Sequence, residues 1–203
     1  MLDGLVAEKL GADLAGAIIG REIIVLEQTG STNDAILQIA NANSNEGLVV
    51  FAEHQTAGRG QRGNRWESAA GKGLWFSILL RPRIDLANSP RLTAWAAEAI
   101  SGAIRKEFSL NPTIKLPNDV QIDGRKVAGV LIEMRAQKKA AHLAIAGIGI
   151  NVNQSREDFS RELQNSAISL AMALGRQIDR QSFAVALLRN LDRTYRRRFG
   201  RET

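Results

Sequence analysis

The chain has 203 residues, none of them cysteine, and its only two histidines are His54 and His142. The absence of cysteine excludes disulfides, cysteine-ligated zinc or iron–sulfur centres, and any thioester intermediate on this chain. A zinc site would need carboxylates for nearly all of its ligands, so we expect none. We interpret both histidines as bystanders, and the chemistry must use other groups.

Long apolar runs are also lacking. One of the longest, residues 144–150, is far shorter than the roughly 20 residues that span a bilayer. The first 20 residues have neither the basic start nor the apolar block of a signal peptide. Hydrophobic residues make up 44% and charged residues 24%, which is typical of soluble globular domains. These features predict one cytoplasmic domain, residues 1–203, with no membrane partner.

The net charge of +6 raises the question of a nucleic-acid partner. A non-catalytic nucleic-acid binder would show salt-sensitive binding to DNA. Many of the basic residues, however, form two groups: a set in turn-rich segments, which fits a pocket for a small anionic ligand, and a C-terminal set, which fits a solvated helix end. The first set is Arg59, Arg62, Arg65, Lys72, Lys115, Arg125 and Lys126, and the second is Arg193, Arg196, Arg197, Arg198 and Arg201.

Hydrophobic periodicity predicts helices and adjacent strands in one chain. Helices are predicted at residues 2–20, 35–40, 92–104, 167–174 and 183–199. Strands are predicted at residues 22–26, 48–52, 74–80, 113–116, 127–134 and 142–151, with Asp123-Gly124 as a hairpin turn. Adjacent strands mixed with flanking helices favour an α+β fold, a mixed β-sheet flanked by helices, over a doubly wound α/β fold.

Residues 53–72 hold four glycines and have no apolar period, which predicts a long functional loop. Gly58, Gly60 and Gly63 spell G-x-G-x-x-G after a predicted strand. The dinucleotide-binding fingerprint also requires a helix that opens on the third glycine, and none is predicted here. Glycine interleaved with Arg59 and Arg62 instead allows close backbone approach and offers forked donors for carboxylate or phosphate.

Four segments in order resemble the motifs of biotin–protein ligases. Residues 53–66 (EHQTAGRGQRGNRW) resemble the biotin-binding loop of that family, and residues 29–33 (TGSTN) resemble its S-T-N element. Residues 115–119 (KLPND), followed by 124–133 (GRKVAGVLIE), resemble its K-W-P-N-D region, and residues 147–153 (GIGINVN) resemble its G-x-G-I-N-x-N element. The match covers about residues 20–200, and it makes the nucleic-acid interpretation improbable, so no specific DNA partner is expected.

The resemblance implies a fold like that of class II aminoacyl-tRNA synthetases and an enzyme that joins biotin to ATP, with Mg²⁺, and then to a lysine of a biotin carboxyl carrier protein. It implies catalytic roles for Arg59, Lys115 and Lys126, and a metal-ligand role for Asp119. The implied biotin-binding residues are Ser31, Thr32, Asn33, Gln55, Gly58, Arg59, Gly60, Arg62, Lys126 and Gly129. The implied ATP-binding residues are Arg62, Trp66, Lys115, Asn118, Gly149 and Asn151.

Several of these roles have a structural alternative. Ser31 and Thr32 also fit a helix N-cap, Lys126 an exposed hairpin lysine, Trp66 a core aromatic and Asp119 a turn aspartate. Two residues depart from the family pattern. Leu116 replaces the usual tryptophan, for which we expect a packing change, and Gln61 stands where many relatives have arginine, which removes one charge near the reacting carboxylate.

The sequence also leaves two alternative functions open and carries expectations about further domains. A lipoate–protein ligase is the nearest alternative, and a biotin-binding protein with lost or weak ligase activity is another. We expect no N-terminal helix-turn-helix domain, and the family's small β-rich C-terminal domain is expected to be absent or truncated. The sequence leaves open whether the protein is a monomer or a homodimer.

Overall fold

Seven strands form one mixed sheet in this computed structural model, which describes residues 4–12, 14–40, 46–136 and 142–200. The spatial order is β1-β2-β3-β7-β6-β5-β4. Only β1 and β2 pair in parallel, and every other neighbouring pair is antiparallel. The strands are β1 (Glu22–Thr29), β2 (Leu48–Gln55), β3 (Gly73–Leu80), β4 (Thr113–Lys115), β5 (Asp119–Ile122), β6 (Arg125–Arg135) and β7 (Leu143–Asn151).

The hairpin between β5 and β6 has the turn that the sequence predicts. Asp123 and Gly124 both have positive φ, +50° and +73°, as a tight two-residue turn of this kind requires. Asp and Gly tolerate this backbone conformation better than other residues do. The turn places Lys126 two residues into β6, next to the strand that carries Asp119.

Helices cover the two faces of the sheet unequally. The helices are α1 (Ala7–Gly11), α2 (Thr32–Ile39), α3 (Ser89–Phe108), α4 (Leu170–Leu174) and α5 (Arg180–Phe199). The two 20-residue helices, α3 and α5, pack against each other and against one face of the sheet. Alternate residues of the central strands, such as Phe51, Phe76 and Ile148, join them in the main core.

The opposite face of the sheet is covered only in part. Short helix α2 packs there on β2, β3 and β7 and forms a small second cluster that includes Ile36, Val50 and Leu79. Side chains alternate along a strand, so Gly147 and Gly149 lie on the same face as Ile145 of that cluster. The open part of this face therefore has small residues where a packed face would have large ones.

The N-terminal segment differs from its prediction. The predicted helix over residues 2–20 is wrong in length, because α1 spans only Ala7–Gly11. Gly16 and Gly20 have φ values of +75° and +91°, which a right-handed helix cannot contain. Leu10 is buried within α1, whereas Leu14 and Ile19 are buried in the irregular segment that follows it. Residues 2, 3 and 13 of the predicted helix, and Arg201 of the C-terminal basic group, lie outside the described residues.

None of the helices in the described ranges is both long and apolar enough to cross a membrane. The predicted loop over residues 53–72 is also shorter than expected, because β2 continues to Gln55 and a 3₁₀ turn forms at Gln61–Gly63.

Candidate active site

A cavity of about 280 Å³ lies on the partly covered face of the sheet, between the start of α2, the glycine-rich loop and the turn before β5. Its lining carries four cationic side chains, Arg59, Arg62, Arg65 and Lys126, and one carboxylate, Asp119. Thirteen of the residues predicted for the site line it: Ser31, Thr32, Asn33, Gln55, Arg59, Gly60, Arg62, Trp66, Asn118, Asp119, Lys126, Gly129 and Gly149.

One end of the cavity is polar and uncharged. The backbone N–H of Thr32 and its hydroxyl both donate to Oε1 of Gln55, at 2.8 and 3.1 Å. These bonds fix the orientation of the Gln55 amide and leave its Nε2 as the free donor. Ser31 occupies the N-cap position of α2, as one interpretation of the sequence predicts, but its hydroxyl makes no capping hydrogen bond. The buried hydroxyl of Ser31 is thus not used to stabilise the helix end.

Two residues that the sequence did not single out connect this polar end to the charged end. Ser77, buried in the middle of β3, has its Oγ 2.8 Å from Oγ1 of Thr32 and 2.6 Å from Oδ1 of Asn33. Nδ2 of Asn33 donates to Glu133 at 2.6 Å, and Glu133 also accepts from Arg59 at 3.0 Å. A continuous set of polar contacts therefore links Gln55 to Arg59.

The glycine-rich loop is ordered by its own backbone. Gly60 and Trp66 donate to the carbonyls of Asn64 and Gly58, at 2.7 and 2.9 Å. The backbones of Arg59 and Arg65 also form an isolated antiparallel β-bridge. A Cβ on Gly58 would lie 2.6 Å from the carbonyl oxygen of Trp66, so this glycine permits a close approach within the loop. Gly58 itself is not part of the cavity lining, and its predicted contact with biotin stays a prediction.

The indole of Trp66 packs on two glycines, Gly129 and Gly149, which we call the glycine floor. Gly129 of β6 and Gly149 of β7 are directly paired across the ladder. A Cβ on either residue would come within 2.8 and 2.5 Å of the Trp66 ring, respectively. The family resemblance implies ligand contacts for both glycines, but here the space above them holds the Trp66 side chain. The ring nitrogen of Trp66 is buried and has no hydrogen-bond partner in the part of the chain that the structure describes.

Lys126 lies beside this ring. Its Nζ is 2.8 Å from Oδ1 of Asp119 and 5.1 Å from the centre of the Trp66 ring. Its backbone is held on both sides, since its N–H donates to Ser166 at 2.8 Å and its carbonyl accepts from Ile168 at 3.0 Å. Lys126 is therefore a lysine with a fixed backbone and two partners, which the interpretation as an ordinary exposed hairpin lysine does not predict.

Two other predicted residues lie outside the lining. Asn151 is buried, and its Nδ2 donates to the carbonyls of Ile168, at 3.2 Å, and Lys126, at 3.4 Å, so it supports the segment that carries the lysine. Lys115 ends β4, is exposed, and is paired across the ladder with Asp119. Their assignment to ATP, and the catalytic assignment of Lys115, stay predictions.

The rim includes the two residues that depart from the family pattern. Leu116 and Gln61 both line the cavity. Leu116, which precedes Pro117 in a cis peptide bond, is 80% exposed, the highest value among the large hydrophobic residues described as exposed. The expected packing change is thus an apolar side chain left in solvent at the mouth of the cavity.

A prebuilt metal cage is not found among the described residues, where no three His, Cys, Asp or Glu side chains cluster. Asp119 is the one carboxylate in the lining, and its Oδ1 already contacts Lys126. Mg²⁺ usually retains waters and takes one or two carboxylates together with substrate phosphates. Asp119 therefore fits at most one ligand of an ion that arrives with a nucleotide, and its role as a metal ligand stays a prediction.

The described residues thus form an α+β domain whose sheet carries, on its glycine-lined face, a cationic cavity with a neutral polar end. The model of the Biotin/lipoate A/B protein ligase family matches residues 25–151, and the chain belongs to this family. The family resemblance of the four motifs is thereby confirmed.

Relatives and solved structures agree with this assignment. The chain is 40% identical over 179 residues to the bifunctional ligase/repressor BirA of Bacillus spizizenii, covering 88% of this chain and 55% of that protein. It is 34% identical over 190 residues to the biotin–[acetyl-CoA-carboxylase] ligase of Mycobacterium tuberculosis, covering 88% of this chain and 66% of that protein. The chain thus spans little more than half the length of several curated relatives it matches.

The fold is also that of solved biotin protein ligases. The enzyme from Aquifex aeolicus in complex with biotin and ATP matches with a TM-score of 0.73 and 30% identity, over 90% of this chain and 75% of that one. The enzyme from Leishmania major in complex with biotin matches with a TM-score of 0.67 and 25% identity, over 90% and 75%. The predicted α+β class with a mixed sheet is confirmed.

Proposed function

We propose that this protein is a biotin–protein ligase, which activates biotin with ATP to biotinyl-5'-AMP and transfers the biotin to a lysine of an acceptor protein. The observation that carries the proposal is the single cavity that has a neutral polar end and a cationic end. Biotin has the same polarity, with a polar ureido ring at one end and a carboxylate at the other. ATP is an anion that must meet that carboxylate.

The neutral end is assigned to the ureido ring. The Nε2 of Gln55 and the hydroxyls of Ser31 and Thr32 are short polar groups on rigid elements, and Asn33 is held beside them. A buried ring atom left without a partner would cost about 1–3 kcal/mol, so such groups select a ligand that can satisfy them. Gly60 adds no side chain to the lining, and the contacts of Gly58 and Gly129 with biotin stay predictions.

The cationic end is assigned to the adenylation step. A carboxylate oxygen of biotin attacks the α-phosphorus of ATP, a mixed anhydride forms, and pyrophosphate leaves. The reacting groups are both anions, so the step needs positive charge more than it needs a nucleophile on the protein. Arg59, Arg62 and Lys126 supply this charge at the cavity. We assign Lys115, which lies outside the lining, to the triphosphate of ATP.

The nucleotide is assigned to the glycine floor. Trp66 moves from its position over Gly129 and Gly149 and covers the adenine, while Asn118 lies at the adjacent turn and Asn151 supports the backbone of Lys126. The present cavity, about 280 Å³, lies just below the range of about 300–1,000 Å³ that is typical of ligand sites. Displacement of the indole would supply the missing space.

The acceptor supplies the nucleophile of the second step. The neutral ε-amine of its lysine attacks the acyl carbon of the mixed anhydride, an amide bond forms, and AMP leaves with the electron pair. The chain itself contains no cysteine that could form a covalent intermediate. We propose the biotin carboxyl carrier protein of acetyl-CoA carboxylase, or of a related carboxylase, as the acceptor. Magnesium enters with the triphosphate in this proposal, and the cytoplasmic location stays a prediction.

The experiment that tests the proposal is ATP–pyrophosphate exchange in the presence of magnesium, with biotin, with lipoate and without acid. Exchange that depends on biotin supports the proposal, and exchange that depends on lipoate instead assigns the alternative substrate. Absence of exchange together with tight biotin binding would identify a binding protein that has lost the ligase reaction.

A variant of Lys126 makes the test specific to the site. Lys126→Gln removes a positive charge 2.8 Å from Asp119, and we expect it to slow exchange about 10²–10³-fold, as loss of one transition-state contact does. Lys106→Gln is the control, because it removes the same charge from a lysine that is 81% exposed at the end of α3. Equal rates for the two variants would contradict the assignment of Lys126.

A further inference from the structure

Glu133 contacts both a charged and an uncharged group proposed to bind biotin. Its carboxylate accepts from Nη2 of Arg59, with Oε1 and Oε2 at 3.2 and 3.0 Å, and from Nδ2 of Asn33 at 2.6 Å. Glu133 does not line the cavity itself. It contacts Arg59 and Asn33, which do line the cavity, and it determines which end of the Asn33 amide faces it.

The contact with Asn33 extends its effect to the polar end of the cavity. With Nδ2 held by Glu133, the amide oxygen of Asn33 faces Ser77, whose Oγ is 2.6 Å away. The same Oγ lies 2.8 Å from the hydroxyl of Thr32. Reversal of the Asn33 amide would place its oxygen against the Glu133 carboxylate, which is unfavourable, and would make Ser77 accept from Asn33. An accepting oxygen at position 133 therefore sets the orientation of the Asn33 amide.

Neither stability nor charge explains a carboxylate at this position. The side chains of Arg59 and Glu133 are 41% and 38% exposed, and ion pairs so open to solvent contribute little to folding. A negative charge beside a cavity for two anions also opposes their binding by simple Coulomb repulsion. Its contribution must come from geometry if it favours the reaction.

We propose that Glu133 is a positioning residue, which holds Arg59 at the carboxylate end of the cavity and Asn33 at the ring end in the arrangement that binds biotin. The inference rests on the proposed function, because it names a residue that prepares the same site. It assigns no contact between Glu133 and the substrates, and it requires the effect to pass through Arg59 and Asn33.

Asp34 provides a charge-matched control. Its carboxylate lies 2.9 Å from the same Nη2 of Arg59, but it is half exposed, lies outside the lining and, among the described residues, makes no side-chain hydrogen bond to Asn33. Asp34→Asn therefore removes one negative charge near Arg59 and leaves the row of polar contacts intact. Glu133→Gln keeps an oxygen that can accept from Asn33, whereas Glu133→Ala removes both contacts.

The test measures biotin binding by titration calorimetry and the KM values of biotin and ATP in pyrophosphate exchange. We expect Glu133→Ala to raise the Kd and KM for biotin about tenfold, as loss of a charge-assisted hydrogen bond does, with the KM for ATP changed less than about threefold. Asp34→Asn and Glu133→Gln should stay within about threefold of the unaltered chain. Urea unfolding of each variant checks that the fold is retained.

Each of the other outcomes overturns the inference. Equal or tighter biotin binding by Glu133→Ala would show that repulsion is the only effect of this carboxylate. An equal loss in Asp34→Asn would assign the effect to charge near Arg59, and a Glu133→Gln variant as weak as Glu133→Ala would exclude the route through Asn33. If the unaltered chain binds no biotin, the proposed function fails together with the inference, and that result is distinct from the other three.

Discussion

The position of Trp66 over two glycines predicts the effect of adding one methyl group. In a Gly149→Ala variant the new Cβ would lie 2.5 Å from the Trp66 ring. Carbon atoms pack at about 3.5–4.0 Å, so the indole must retreat by about 1 Å or leave the floor. The backbone of β7 cannot yield instead, because Gly149 is paired on both sides, with Trp75 of β3 and Gly129 of β6.

The expected cost follows from the contacts that Trp66 would lose. Its interaction with Nζ of Lys126, at 5.1 Å from the ring centre, contributes about 0.5–1 kcal/mol. Its edge contact with Trp75, at 6.0 Å, contributes about 0.5–1.5 kcal/mol. Replacement of a strand glycine by alanine by itself stabilises the fold by about 0.5–1 kcal/mol, because glycine loses more backbone entropy on folding. We therefore expect a net loss of about 1 kcal/mol in the free energy of unfolding.

Acrylamide quenching of tryptophan fluorescence measures the displacement directly. Of the three tryptophans, Trp75 and Trp95 are 0% and 1% exposed, so the quenchable signal comes from Trp66. Gly149→Ala should increase the quenching constant, and Trp66→Phe should abolish the increase. Gly11→Ala is the control, since a Cβ there meets nothing within 4 Å. Unchanged quenching and unchanged stability in Gly149→Ala would refute the proposed position of the indole.

Two further predictions concern stability. Burial alone would raise the pKa of Asp158, but hydrogen bonds from Lys72 and Ser155 outweigh it and hold that pKa below its ordinary value. The ionised form therefore stabilises the fold above about pH 4, and this contribution is lost as the pH falls through the lowered pKa. Asp158→Asn should thus lower the free energy of unfolding by about 1 kcal/mol at pH 7, with a smaller difference at pH 3, in urea titrations; a difference that grows on acidification would contradict this. Asp179 caps α5 by accepting from the N–H of Ser182 at 3.2 Å, and Asp179→Ala should cost about 1 kcal/mol in thermal unfolding, whereas Asp179→Asn, which can also cap, should cost much less.

The motifs predicted most of the site because their residues are neighbours in sequence. Lys126 follows a tight turn, and Gln55 ends a strand, so local signals place both near the glycine-rich loop. Ser77 gave no such signal, because a single serine in an apolar strand also fits a packed core. Glu133 lies at the end of a predicted strand, and only the pairing of strands distant in sequence reveals that it meets Arg59.

Other differences have equally local causes. The predicted N-terminal helix is shortened because Gly16 and Gly20 require left-handed backbone, which apolar spacing alone does not detect. Trp66 is placed over Gly129 and Gly149 by a loop whose path depends on bonds between Gly58, Gly60 and their partners. The family resemblance implied that a ligand contacts Gly129 and Gly149. The sequence could not show that the Trp66 ring lies against them instead.

The glycine floor has a consequence for how this protein can change over evolutionary time. A Cβ on Gly149 in this floor would lie 2.5 Å from the Trp66 ring. A Cβ on Gly147, two residues earlier in β7, would lie 2.3 Å from the side chain of Asn33. Side chains at the rim, such as Gln61 and Leu116, have no such restriction, because they extend toward solvent. We therefore expect substitutions to be tolerated better at the mouth of the cavity than on the sheet face beneath it.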